Sequence, residues 1–157
     1  MENMIYVTSA SDHTLVMFVP ELQLSKTWNK KGQKYPIARE TLVQAYYNPA
    51  VEYLFKQGLL TVDDDEFLKE VGLMTEDGER EVILLTAELE NRMIKLMPIA
   101  DLKIQLKKLT QTQLIELAEY AVAHYQELKM DRIDLLTKAT GKNILKSIEN
   151  LKAAQEG

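Results

Sequence analysis

The spacing of apolar residues changes along this chain, and the change limits the folds open to it. In "MIYVT", Ile5 and Val7 share one parity; in "LQLSKTW", Leu22, Leu24, Lys26 and Trp28 share another. From Thr86 onward the spacing is three and four: Leu114, Leu117, Ala118, Ala121 and Tyr125, then Ile144, Leu145, Ile148 and Leu151. Alternation is the mark of a strand with one buried face, and the longer period that of a helix. Neither an all-helical bundle nor a β-sandwich accommodates both. The expected class is α+β: a small N-terminal module containing a β-hairpin, over residues 1–85, followed by an all-helical C-terminal bundle over 86–157.

The order of elements follows from punctuation. "TLVMFV" (14–19) is β-rich and stops at Pro20. "NKKG" (29–32) is a turn, and "QKYPI" returns as an edge strand, the place in a sheet that tolerates Pro36. Helices follow over "ARETLVQAYYN" and "PAVEYLFKQ", with Pro49 at the first helical position and Gly58 just past the end. "LLTV" is a short strand, Asp63 caps the helix "DDEFLKEV", and "EVILL" (81–85) is expected to be a last strand. Thr110 and Gln113 form a capping box at the start of the longest helix. Gln111, Glu116 and Glu119 are expected to face outward from it.

With no Cys there is neither a disulfide framework nor a thiolate metal site. The opening residues lack a basic region before an apolar run, and no apolar run approaches the roughly 20 residues of a spanning helix. A soluble, cytoplasmic protein is expected, without membrane association.

Catalytic constellations are poor. "SDH" (Ser11, Asp12, His13) has triad residue types, but a relay draws its members from separate segments, so a turn is the better reading. His124 sits at a helix end without metal-ligand partners. "VDDDE" lacks the alternation and glycine of a calcium loop and reads as a helix cap. Gly141-Lys142 lacks the upstream glycine of a phosphate loop. The two short helices followed by "GLLTV" imitate a winged helix-turn-helix, yet the second offers only Lys56 as a cation. No cofactor, metal or small-molecule substrate is implied.

Charge is distributed unevenly. Between Leu22 and Arg39 stand Lys26, Lys30, Lys31, Lys34 and Arg39, with no acid, in a chain of net charge −5. The rest therefore carries −10. Trp28 and Tyr35 flank the turn, and amphipathic aromatics beside cations suit a contact surface. Lys26, Trp28, Lys30, Lys31, Lys34, Tyr35 and Arg39 are the candidate partner-binding residues. Two alternatives stay open: Trp28 shares parity with Leu22 and Leu24 and so suits the core, and lysines on an edge strand also guard it against pairing. A protein partner is favoured over nucleic acid, which an acidic remainder repels. Self-association, basic hairpin to acidic helical face, is one form this takes.

The stretches "PEL", "W-N-K-K-G", "NPAVEYLFKQGLL" and "TGKNI" resemble small uncharacterised proteins of bacteriophages and mobile elements of Gram-positive bacteria. The resemblance spans most of the chain and transfers no functional residue. It implies a phage setting, in host cytoplasm or virion. The expectation is a non-enzymatic interaction protein, a virion, assembly or host-directed accessory. The alternative is a nucleic-acid-binding or transcription-regulating accessory.

Overall fold

In a computed structural model, which describes residues 3–156, the alternating stretches become strands and the chain divides between Leu84 and Leu85 into two units. The first unit is α+β. Strand β1 (Met4–Ser9) lies between β4 (Lys34–Ala38) and β5 (Leu60–Val62), antiparallel to both. Strands β2 (Leu15–Val19) and β3 (Leu24–Trp28) form a separate antiparallel pair. They are joined by a 3₁₀ turn, Pro20–Leu22, and by Gln23 at a left-handed φ of 53°.

Alternation delivers one apolar face per strand: Ile5 and Val7 from β1, Leu15, Met17 and Val19 from β2, Leu24 and Trp28 from β3. Helices α1 (Arg39–Tyr46), α2 (Pro49–Lys56) and α3 (Asp65–Glu70) close over that core. They contribute Leu42, Ala45 and Tyr46; Val51, Leu54 and Phe55; Phe67 and Leu68. Tyr46, Phe55 and Phe67 form one aromatic cluster, with ring centroids 5.9 to 6.3 Å apart. Burial of Tyr46 pushes its phenol pKa above the ordinary value.

Two local expectations are corrected. The cap of α3 is Asp64, not Asp63: its carboxylate accepts the Phe67 N–H at 2.9 Å. Phe67 and Leu68 must both turn inward, and their burial fixes which of three consecutive aspartates stands at the helix start. "EVILL" is not a strand. Arg80 donates to the Val62 carbonyl (3.3 Å) and approaches the Thr61 hydroxyl (3.5 Å), along the edge of β5 that another strand would extend. The Glu81 N–H goes instead to the Leu73 carbonyl.

The second unit is helical: α4 (Ala87–Lys95), α5 (Ile99–Lys108), α6 (Gln111–Ala123), α7 (Met130–Thr140) and α8 (Ile144–Glu156). Thr86 caps α4 through the Leu89 N–H, and Gly141, at φ 73°, terminates α7 in the left-handed conformation glycine takes without strain. The Thr110–Gln113 capping box is present in both directions, at 3.1 and 3.0 Å. Thr110→Ala should cost about 1 kcal/mol of stability, read by urea unfolding of the full chain followed by circular dichroism. No effect would show that the box is dispensable.

Helix α6 packs against α4, α7 and α8. This overturns the outward placement of Glu116, which is buried, while Gln111 and Glu119 are exposed. Among the described residues, no helix is long and apolar enough to cross a membrane.

Candidate functional site

The basic segment folds into β3, the turn after it, β4 and the start of α1. Trp28 does not belong to its surface. The side chain is 0% exposed, its Nε1 donates to the Val7 carbonyl at 3.0 Å, and its ring meets Tyr35 edge-on at 5.4 Å. A residue with no accessible surface reaches no partner, so Trp28 is corrected from contact candidate to core. Its indole N–H ties the hairpin sheet to the three-stranded one.

Arg39 is engaged with acids of its own unit, Asp64 at 3.3 Å and Glu70 at 3.1 Å. Tyr35 is half-buried, and its hydroxyl accepts from Gln33. The Lys26 ammonium lies 5.5 Å from the Tyr35 centroid, and that of Lys34 lies 5.1 Å from the Tyr6 centroid. Lys30 and Lys31 occupy the turn, Lys30 exposed and Lys31 half-buried. The fold thus keeps four lysines near one turn and its flanking strands, removes the indole from the surface they share, and pairs the partly exposed guanidinium with two acids.

The acidic excess is carried by one unit. Residues 85–157 carry eleven Lys and Arg against ten Asp and Glu. Residues 1–84 outside the basic segment carry three against fourteen. The helical unit is near neutral, so the acidic excess lies on the first unit, whose helices α1 to α3 carry Glu40, Glu52, Asp65, Glu66 and Glu70.

Comparing the strand edges brings out a different surface. An open edge presents unpaired N–H and C=O groups, which proteins guard with Lys, Pro or a covering side chain. The outer strand β4 carries Lys34 and Pro36. The outer strand β5 is covered by Arg80. Strand β2, "LVMFV", has no charge and no proline, and among the described residues it pairs with β3 alone. Its outward side chains are Val16 (55% exposed) and Phe18 (62%). Across the hairpin they face Thr27 and Ser25. The sequence signal was available, an uncharged β-branched and aromatic strand, but an apolar run alone does not say that one face stays outside.

The remaining candidates resolve into structural roles. The Ser9 hydroxyl donates to the Ser11 carbonyl and accepts from the Ser11 N–H, and the Ser11 hydroxyl accepts from the His13 N–H, a set of turn contacts. His124 stacks on Tyr120, with ring centroids 4.1 Å apart. No cluster of three potential metal ligands occurs among the described residues. Asn143 meets the first turn of α8, accepting the Lys146 N–H at 3.0 Å. In the helix-turn-helix candidate, Lys56 is paired with Glu52 at 2.7 Å, which raises its pKa, and Val51, Leu54 and Phe55 are core.

No family model, no curated protein and no solved structure matches this chain.

Proposed function

We propose that this chain is a non-enzymatic interaction protein that self-associates through strand β2. The observation that carries the reading is the contrast among edges: β4 and β5 are guarded, and β2 is uncharged with Val16 and Phe18 outside. Antiparallel pairing of two copies about Met17 sets Val16 of one opposite Phe18 of the other. Aromatic and β-branched cross-strand pairs are favourable, by roughly 0.2–1 kcal/mol each. The two hairpins then become one four-stranded sheet, and a net charge of −5 opposes the contact least at an uncharged strand. A self-associating accessory agrees with a virion or assembly role, which the resemblance to phage proteins implies.

Light scattering after size exclusion tests this. The wild type is expected at twice the chain mass near ~100 μM, with little change between 0.05 and 0.5 M salt, since apolar contacts are not screened. Phe18→Lys should return the chain mass without loss of helical circular dichroism, because that side chain is already outside. A wild type at the chain mass throughout sinks the proposal. So does a dimer that Lys30→Glu/Lys34→Glu or high salt dissolves while Phe18→Lys does not; that result would return the contact to the lysines.

A nucleic-acid reading draws on one observation, Tyr6, 55% exposed on the open sheet face beside Lys34. A labelled single strand of thymidines checks it. Binding lost in Tyr6→Ala and steeply weakened by salt would favour it over the protein contact.

A further inference from the structure

A groove of about 530 Å³ runs along the helical unit between α5, the start of α6 and α7. Its floor is apolar, formed by Leu106, Leu109 and Leu114, with Leu135 and Ala139 on the α7 side. Its remaining lining residues are Lys103, Lys107 and Lys138, all exposed. None of these three ammonium groups makes a hydrogen bond or ion pair among the described residues, and no acid lines the groove.

The arrangement follows from the helices. Lys103 and Lys107 are four apart on α5 and share a face, and Leu106 on the same helix turns to the floor. Helix α7 packs against both α5 and α6, which brings Lys138 to the opposite wall. Like charges gathered at one site repel, and among the described residues that line the groove no acid offsets them.

Other grooves on this unit have mixed charge. One is lined by Arg92, Asp101 and Lys108, another by Glu119 and Lys142. The single sign around an apolar floor sets this one apart. We infer that the groove docks an acidic amphipathic segment of a protein partner, its apolar residues on the leucine floor and its carboxylates against the three lysines. Charge complementarity selects that occupant: a basic segment is repelled, and an uncharged one leaves the rim unsatisfied. The opening is broad, which suits a helix or strand laid along it rather than an enclosed small molecule. This inference concerns a different unit from the β2 edge and does not depend on it.

The test uses the full chain and a fluorescein-labelled 18-residue peptide with Leu at helical i, i+3, i+4 and i+7 positions and Glu elsewhere. A second peptide has Lys in place of Glu. By fluorescence anisotropy, the acidic peptide should bind with Kd near ~10 μM and weaken at least tenfold in 0.5 M salt. Lys103→Glu/Lys107→Glu/Lys138→Glu should lose binding by at least about tenfold, with helical circular dichroism retained, because all three side chains are on the surface. Lys30→Glu/Lys34→Glu, in the other unit, should bind as wild type does. Equal binding of the two peptides overturns the inference. So does equal loss in both charge-reversed variants, or binding of decanoate or an oligonucleotide with none of the acidic peptide.

Discussion

Trp28→Ala should destabilise the N-terminal unit by about 3–5 kcal/mol, the usual cost of truncating a large core aromatic. The residue is wholly buried, touches Tyr35 edge-on and satisfies the Val7 carbonyl, so three contributions fall together. Trp28→Phe separates them. It keeps a ring in the core and removes only the indole's bond to a carbonyl that is also paired with Tyr35 in the β1–β4 ladder, and about 0.5–1.5 kcal/mol should be lost. Trp28 is the only Trp in the chain, so its fluorescence reports this unit in the wild type and disappears in both variants. The comparison therefore needs hydrogen exchange read by mass spectrometry on peptides spanning β1 to β4. Protection there should fall in both variants, more in Trp28→Ala, while peptides from α6 stay protected. Loss below about 1 kcal/mol in Trp28→Ala would mean that the indole does not anchor the core.

That result bears on how the basic segment is read. Parity in "LQLSKTW" put Trp28 with Leu22 and Leu24, and the inward placement follows from it. Lys26 has the same parity, but its stem is long enough to carry the ammonium outward over Tyr35, so one rule serves both residues. The partners of Arg39 were not legible. Asp64 and Glu70 are 25 and 31 residues away, and only the packing of α3 brings them to it.

Other gaps have similar causes. A helical stripe assumes one packed face, and α6 touches three other helices, so Glu116 is buried despite lying off the stripe. "EVILL" has strand composition, but a strand needs a free neighbour, and Arg80 lies on the edge of β5. The lysine rim of the groove combines residues of two helices more than thirty positions apart. The i, i+4 pair of Lys103 and Lys107 was visible in the sequence; Lys138 opposite them was not.

Arg132 shows how a buried charge is held in the helical unit, and it gives the second large effect. Its side chain is only 8% exposed, yet it lies on α7 facing the C-terminal end of α4. There it donates to the Met93 carbonyl at 2.8 Å and to the Met97 carbonyl. The last carbonyls of a helix lack intrahelical donors and sit at the negative end of its dipole. One guanidinium therefore satisfies an orphan acceptor of α4, Met93, and the Met97 carbonyl just past its cap, and places a cation where the helix field favours it, tying together two helices 39 residues apart. Arg132→Met keeps most of the apolar stem and removes every donor. It should cost about 2–4 kcal/mol, from lost charge-assisted hydrogen bonds and bare carbonyls. Arg132→Lys should fall between, because one ammonium cannot fork to both carbonyls as a planar guanidinium does. The loss in Arg132→Met should persist in 1 M NaCl when unfolding is driven by urea. The half-exposed Lys95–Glu127 pair at the same end of α4 supplies the contrast. Glu127→Gln should cost under about 1 kcal/mol and vanish at that salt concentration. Should Arg132→Met fall to the level of Glu127→Gln, or fade with salt as it does, Arg132 would be a surface-type cation and the α4–α7 tie would not exist.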